Sequence, residues 1–244
     1  MATPEYNNGL HYSKFVSDFC SFRGTRTYLE IGVQHGFNLS HVSVDTAITI
    51  DPGFIIADDP SLEKKSVHLY RMTSEHFFSE HYAFAKLRGV DFAFLDGMLL
   101  LEFPLRDFFD TEKICDPNGL IVLHGCIPFD GEMIERVNNT ECRSANSTNK
   151  HAWTGDIRKV VSMIQKYCPD FRVVLVDCEP TGVVFITNLD PTSRLLDDNY
   201  LKIAKEFRDA PNNSASLDAF FDSQQIAGAS SIIENFNHIL YSKL

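Results

Sequence analysis

Short apolar runs rich in β-branched residues alternate along the chain with stretches of helical periodicity. The apolar runs predict seven strands, at residues 27–31, 47–50, 66–70, 90–95, 119–124, 171–176 and 183–187. Helical patterns fill the intervals, most clearly at residues 104–114 and 156–167. Strands that alternate with helices pair in parallel and are covered on both faces, so we expect an α/β fold with a mainly parallel sheet.

The last two predicted strands break this alternation. Only the segment DCEPTG at residues 177–182 separates them, which is too short for a helical crossover. They are therefore predicted to pair as an antiparallel hairpin at the end of the sheet. The polar, turn-rich stretch at residues 138–151 is predicted to be a mobile loop, and no strand is expected after residue 197.

The same pattern divides the chain into three parts. These are an N-terminal helical segment, a main α/β domain and a C-terminal helical extension, at residues 1–24, 25–195 and 196–244. The C-terminal extension is predicted to form either a cap over the binding site or the surface of a homodimer.

Composition and charge exclude several classes of function. The 244 residues are 44% hydrophobic and 23% charged, with a formal net charge of -11, as in ordinary globular proteins without a basic surface. No secretion signal or membrane span is visible, so we expect a cytoplasmic protein that binds neither nucleic acid nor membranes.

The cysteines have no metal-ligand spacing and are expected to be buried thiols. They are Cys20, Cys115, Cys126, Cys142, Cys168 and Cys178.

A glycine-containing turn follows the first predicted strand. Glu30 lies near the end of that strand, Gly32 follows it, and Gly36 opens the next helix. Glycine is needed where a backbone turns sharply or approaches a ligand closely. Asp51 ends the second strand, where an acidic side chain can accept both hydroxyls of a ribose. The alternative is a purely structural turn with an exposed acid.

The pattern E-x-G-x-x-x-G in this turn resembles motif I of the class I S-adenosylmethionine-dependent methyltransferases. Later segments resemble a subgroup that includes the macrocin-type sugar O-methyltransferases, at residues 94–109, 117–124, 153–156, 179–182 and 187–191. The resemblance extends over residues 25–195. It implies a Rossmann-like class I methyltransferase fold, with a seven-stranded, mostly parallel sheet and an antiparallel C-terminal hairpin.

The resemblance also implies roles for single residues in binding S-adenosylmethionine. Gly32 and Gly36 would lie against the methionine part of the cofactor, and Asp51 would hold the ribose. Glu30 would orient the glycine turn or reach the methionine ammonium group.

Two hydroxyl residues follow the third predicted strand. Thr73 and Ser74 stand where the family often contacts adenine. The alternative is that one of them caps the following helix, because Glu75 and a helical pattern come next.

The fourth predicted strand ends at Asp96, which points into the ligand crevice and is a candidate for both cofactor binding and catalysis. In metal-dependent relatives this aspartate helps to hold Mg²⁺, a histidine three positions later is the general base, and the fifth strand ends in an acid. This chain has Leu99 and Gly125 at those two positions. Since a hard cation needs several oxygen ligands, a Mg²⁺ site is not expected to form from Asp96 alone.

His124, at the end of the fifth predicted strand, is the candidate to replace the missing base. The alternative is a structural histidine under a loop.

Five further residues have side chains suited to chemistry but are expected to be structural. Asp156 is interpreted as the cap of the helix that it starts, more than as a crevice residue, and Glu102 and Asp107 as solvated or structural acids. Trp153 is interpreted as a packing anchor and Cys126 as part of the core.

These features predict an S-adenosylmethionine-dependent methyltransferase acting on a small-molecule acceptor, with oxygen of a sugar or secondary metabolite as the methylated atom. Methyl transfer from a sulfonium needs mainly alignment of the nucleophile, so it survives the loss of a metal. Two alternatives stay open. One is an enzyme that does other chemistry on the same cofactor, and the other is a binding subunit that retains only the pocket.

Overall fold

The computed structural model describes residues 7–139 and 152–235. The strands are β1 Thr27–Ile31, β2 Val44–Ile50, β3 Lys64–Tyr70, β4 Val90–Leu95, β5 Cys115–His124, β6 Arg172–Val176, β7 Val183–Thr187 and β8 Ile226–Ala227. The helices are α1 Tyr12–Arg23, α2 Phe37–His41, α3 Ser74–Arg88, α4 Glu102–Ile114, α5 Arg158–Tyr167, α6 Leu195–Asp198, α7 Tyr200–Asp209, α8 Ser214–Asp222 and α9 Ala229–Glu234.

All eight strands form one sheet, in the order β3-β2-β1-β4-β5-β7-β6-β8. Strands β1 to β5 pair in parallel, whereas β7 pairs antiparallel with both β5 and β6. The predicted α/β fold with a mostly parallel sheet and an antiparallel C-terminal hairpin is confirmed.

Strand β8 was not predicted from the sequence. It joins the outer edge of β6 through the pairs Leu175–Ile226 and Val176–Ala227. Two residues are too few to show a strand periodicity, and only the position of β6 brings them into a ladder. The prediction that no strand follows residue 197 is therefore wrong.

Helices cover both faces of the sheet, because successive strand residues point to opposite sides. Leu29 and Ile31 of β1 belong to a core shared with α3, α4, α5, α7 and α8. Tyr28 of β1 belongs to the other core, which contains residues of α1, α2 and α9.

Helix α1 packs directly on the sheet. Its side chains Phe15 and Phe19 are fully buried, and both contact the ring of Phe185 in β7. The helix ends at Gly24, which adopts a left-handed conformation and donates its N–H to carbonyl groups of the last turn. This packing fixes the start of α1 close to the carboxyl ends of the strands.

The predictions for the cysteines, for the polar loop and for the C-terminal extension compare with the structure as follows. Cys20, Cys115, Cys126 and Cys178 are buried and Cys168 is half-buried, all as free thiols. Cys142 and most of the predicted mobile loop, residues 140–151, lie outside the described residues, as do residues 236–244 of the C-terminal extension. None of the helices in residues 7–139 and 152–235 has the length and apolar character needed to span a bilayer.

Replacing Phe19 by alanine is expected to lower the free energy of unfolding by about 3–5 kcal/mol, the usual cost of removing a buried aromatic ring. Phe22→Ala in the same helix is the matched control, because Phe22 is 47% exposed. Urea unfolding of both variants measures the difference. Equal effects would show that α1 does not fold with the main domain.

Candidate functional site

A cleft of about 720 Å³ opens at the carboxyl ends of the parallel strands. It lies where the chain leaves β1 toward α2 on one face and leaves β4 toward α4 on the other face, which is the usual ligand site of an open parallel sheet. Its walls come from the segments after β1, β2, β3 and β4, from the start of α4, and from Tyr12 and Trp153.

Gly32 allows the ends of β1 and β4 to approach each other. A Cβ atom at this position would lie 2.1 Å from the backbone oxygen of Asp96, and the φ angle of 87° also favours glycine. Gly36 adopts a φ of 77° at the start of α2, where a Cβ would meet Ile56 at 3.2 Å. The two glycines therefore set the shape of the turn that forms the floor of the cleft.

Asp51 holds this glycine turn in place. Its Oδ2 accepts hydrogen bonds from the backbone N–H groups of Val33 and Gln34, both at 2.8 Å, and its Oδ1 accepts one from Gly53 at 2.6 Å. The side chain lines the cleft. Because a carboxylate accepts about four hydrogen bonds, one acceptor position on Oδ1 stays available to a ligand.

Glu30 and Asn38 are buried side by side at the cleft. Asn38 donates a hydrogen bond to Glu30 Oε1 at 3.2 Å, but Glu30 Oε2 and Asn38 Oδ1 have no partner within the described structure. Burial raises the pKa of Glu30 to about 8, although Asn38 and Tyr28 act in the opposite direction. Two buried polar atoms without partners at one wall are costly unless a ligand supplies hydrogen bonds to them.

The segment after β3 forms the opposite end of the cleft. Thr73 is the N-cap of α3 and accepts a hydrogen bond from the His76 backbone at 3.3 Å, which agrees with the capping interpretation. Ser74 lines the cleft beside Asp107 of α4. Burial raises the pKa of Asp107 to about 7, against the hydrogen bond from Ser74.

Asp107 was expected to be solvated or structural, but it is 5% exposed and lines the cleft. The available signal was its helical spacing from Pro104 and Thr111, which share its buried face of α4. Sequence reasoning also missed Arg106, which lines the cleft and pairs with Glu75 at 2.6 Å.

Asp96 and His124 lie together at the ends of β4 and β5. His124 Nδ1 and Asp96 Oδ1 are 2.9 Å apart, and His124 Nε2 and Thr181 Oγ1 are 3.2 Å apart. Both imidazole nitrogens therefore lie within hydrogen-bonding distance of a side-chain oxygen. Asp96 lines the cleft, whereas His124 is not among the residues that line it.

Tyr12 separates His124 from the cleft. Its ring stacks on the imidazole with centroids 4.3 Å apart, and it lines the cleft itself. Burial, together with Asp96 and Glu30, raises the pKa of the Tyr12 hydroxyl above its usual range. With both nitrogens bonded and one face covered, His124 is placed to orient Asp96, as the alternative of a structural histidine requires. The role of His124 as the base stays a prediction. No sequence pattern pointed to Tyr12, which lies far along the chain from the strand-end motifs.

Leu99 and Gly125, the two departures from the metal-dependent pattern, meet in space. A Cβ at Gly125 would lie 3.5 Å from Leu99 Cδ2, so the leucine side chain fills the place beside Asp96 where further ligands would be needed. No group of three or more potential metal-ligating residues occurs in the part of the chain that the structure describes. The side chains around Asp96 do not fit a Mg²⁺ ion, which prefers several oxygen ligands.

Asp156 and Glu102 have structural roles. Asp156 is fully buried and accepts a hydrogen bond from the Leu101 backbone at 2.9 Å, so it caps the start of α4. The expectation that Asp156 caps its own following helix is wrong, because α5 begins without a side-chain cap. Arg136 bridges the two acids, at 2.6 Å from Asp156 and 2.9 Å from Glu102. Trp153 donates its Nε1–H to the Glu135 carbonyl at 2.7 Å, which anchors the ring at the edge of the cleft.

No protein-family model matches the chain, and a search of curated proteins gives no match. Among solved structures, a Podospora anserina methyltransferase bound to S-adenosylhomocysteine is similar over 73% of this chain and 78% of its own, with 15% identity and a TM-score of 0.49. An O-methyltransferase from Bacillus cereus in complex with S-adenosylhomocysteine covers 76% and 84%, with 16% identity and a TM-score of 0.47.

A third similar structure is the MycE methyltransferase of mycinamycin biosynthesis, in complex with Mg, S-adenosylhomocysteine and mycinamycin VI. It shares 15% identity over 75% of this chain and 49% of its own, with a TM-score of 0.42. At these identities the likeness concerns the fold.

The raised pKa of Glu30 predicts that stability depends on pH. Glu30 keeps its proton in the folded state up to about pH 8, whereas an unfolded glutamate loses its proton at its ordinary pKa of 4.5. Its contribution to stability is thus complete below the unfolded pKa and disappears as the pH rises through the folded pKa. In the unmodified protein, Glu30 is expected to lower the free energy of unfolding by an amount on the order of a few kcal/mol between about pH 5 and pH 9. Glu30→Gln is expected to lack this decrease, because glutamine does not titrate.

Urea unfolding across this pH range measures the effect. Asp107 and Glu112, whose pKa values burial raises to about 7, retain their own dependence of the same sign in every variant. Glu63→Gln is the control, because Glu63 is exposed. A Glu30→Gln profile parallel to that of the unmodified protein would contradict the assignment.

Because Leu99 and Gly125 supply no metal-ligating side chains near Asp96, we expect weak or no binding of divalent metal ions. Mn²⁺, used as an electron paramagnetic resonance probe, is expected to stay free at about millimolar concentration. The double variant Leu99→His, Gly125→Asp supplies two further ligands and is expected to bind Mn²⁺ more tightly. Tight binding by the unmodified protein that Asp96→Asn abolishes would overturn this interpretation.

Proposed function

We propose that this protein is an S-adenosylmethionine-dependent methyltransferase that transfers a methyl group to a hydroxyl of a small molecule. The observation that carries the proposal is the pair of oxygen atoms without hydrogen-bond partners, Glu30 Oε2 and Asn38 Oδ1, buried beside the glycine turn. Glu30 Oε2 becomes an acceptor when the carboxyl gives up its proton. A cationic ligand group with several N–H donors satisfies both atoms at once. The ammonium group of the methionine part of the cofactor is such a group.

The other cleft residues fit the rest of this cofactor. The remaining acceptor position on Asp51 Oδ1 suits a ribose hydroxyl, while its other hydrogen bonds keep the glycine turn in shape. Ser74 lies at the end of the cleft left for the adenine ring, and Thr73 supports it as the helix cap. Gly32 and Gly36 keep the floor of the cleft free of side chains.

The bound cofactor supplies an activated methyl group on a sulfonium, and the protein aligns the acceptor oxygen with it. Asp96 is the candidate proton acceptor, because it lines the cleft with its carboxylate held by His124 at 2.9 Å. Thr181 fixes the other imidazole nitrogen, so the ring keeps a single orientation. Asp96 would take up the hydroxyl proton of the acceptor, and bound S-adenosylmethionine would supply the methyl group that replaces this proton.

A mechanism without Mg²⁺ agrees with this arrangement. Leu99 occupies the space where the metal-dependent pattern has its histidine, and Gly125 brings no carboxylate. Alignment of a nucleophile in a closed site provides a large part of the rate enhancement of a bimolecular displacement. We therefore assign proton acceptance to Asp96 and a positioning role to His124.

Leu99 and Gly125, which stand in place of the histidine and the acid of the metal-dependent pattern, favour a second candidate. This candidate is an enzyme that performs other chemistry on S-adenosylmethionine, such as an elimination. Mass spectrometry of the cofactor after incubation with the protein alone distinguishes the two, since only this second candidate forms a product without an acceptor. A binding subunit that keeps the pocket without turnover would bind the cofactor and leave it unchanged with every acceptor.

Isothermal titration calorimetry with S-adenosylhomocysteine tests the proposal. We expect binding accompanied by proton release near pH 7, because a ligand ammonium lowers the pKa of Glu30 from about 8. Glu30→Gln is expected to weaken binding by about 1.5–3 kcal/mol, the range for a hydrogen bond to a charged group, and to abolish the proton release. Titrations in buffers of different ionisation enthalpy measure that release.

Glu63→Gln serves as the control, since this exposed residue lies outside the cleft. Failure to bind S-adenosylhomocysteine at about millimolar concentration would refute the proposed cofactor. Binding that Glu30→Gln leaves unchanged would refute the assigned ammonium contact.

A further inference from the structure

One side of the cleft is apolar and largely open to solvent. Four side chains form it, and we call them the apolar wall: Met98, Leu99, Phe103 and Trp153. Met98 is 50% exposed and Phe103 is 52% exposed. Large apolar side chains grouped at the mouth of a cleft indicate a binding surface more than isolated exposed residues do.

The apolar wall is continuous with the reacting end of the cleft. A Cβ at Gly155 would lie 2.5 Å from the Leu99 backbone oxygen and 3.2 Å from Trp153 Cζ2, so the glycine permits these two residues to come together. Leu99 follows closely after Asp96 in the segment that leaves β4. A molecule lying on the wall thus has its edge near the Asp96 carboxylate.

The apolar wall offers almost no hydrogen bonds. Met98, Leu99 and Phe103 have no side-chain donor, and the single donor of Trp153 is already bonded to the Glu135 carbonyl at 2.7 Å. A sugar placed here would lose the water bound to its hydroxyls without gaining partners. A flat hydrocarbon surface instead gains contact with the indole and phenyl rings.

Most of the other polar groups of the cleft belong to the glycine turn and to the segment after β3. Arg106 of α4 also lines the cleft, where it pairs with Glu75 at 2.6 Å. Glu30, Asn38 and Asp51 are at the glycine turn, and Ser74 and Asp107 are at the β3 end. The proposed cofactor takes up the groups at the glycine turn and at the segment after β3. The apolar wall is therefore left for the second substrate.

We propose that the acceptor is a flat, apolar molecule with a phenol-type hydroxyl, which docks on the apolar wall with that hydroxyl toward Asp96. This inference rests on the proposed function, because it places the acceptor next to a bound cofactor. It narrows the acceptor from a sugar or secondary metabolite to an aromatic alcohol.

Binding of 2-naphthol and of methyl glucoside, measured by titration calorimetry with and without saturating S-adenosylhomocysteine, tests the proposal. We expect 2-naphthol to bind and the glucoside to bind at least about tenfold more weakly. Met98→Ser and Phe103→Ser are each expected to weaken naphthol binding about fivefold or more, because each removes apolar contact area.

Leu201→Ser is the matched control, since Leu201 is 81% exposed on α7 and lies outside the cleft. It is expected to leave naphthol binding unchanged. Glucoside affinity equal to that of naphthol, or naphthol binding that survives both apolar-wall substitutions, would overturn the proposal.

The cofactor titration on the same samples separates the two proposals. If S-adenosylhomocysteine binds but naphthol does not, only the acceptor assignment fails. If S-adenosylhomocysteine does not bind, the cofactor assignment fails, and the naphthol titration without it still tests the apolar wall.

Discussion

Gly32 lies so close to the backbone of Asp96 that any side chain at this position would collide with it, since a Cβ would be only 2.1 Å from the carbonyl oxygen. This approach joins the ends of β1 and β4 at the point where their following helices leave to opposite faces. The glycine turn, the Asp51 hydrogen bonds that hold it and the direction of Asp96 all depend on it. The cleft exists because the two strand ends meet without a side chain between them.

Two acidic side chains are buried around the cleft. Burial raises the pKa of Glu30 to about 8 and that of Asp107 to about 7, so both acids retain a proton far above their ordinary range. Such groups reduce stability at higher pH and are tolerated where a ligand repays the cost. The two lie on different walls of one cleft, which fits a ligand with polar groups at both ends.

Leu99 and Gly125 together shape the surroundings of Asp96. Leu99 packs against Gly125, so the space that a metal and its ligands would require is closed by hydrocarbon. The same leucine joins Trp153 in the apolar wall. A single side chain, Leu99, therefore both packs at Gly125 and forms part of the apolar wall.

The sequence by itself determined the features that arise from local patterning. Strand and helix periodicity predicted the seven longer strands and the antiparallel hairpin, and the strand-end positions of Glu30, Asp51 and Asp96 predicted that they would line one cleft. Only the tertiary structure decided that Tyr12 covers His124, that Asp107 is buried at the cleft and that β8 joins the sheet. These features depend on contacts between segments far apart in the chain. Periodicity reports which face of an element is buried, but not which distant side chain will meet it.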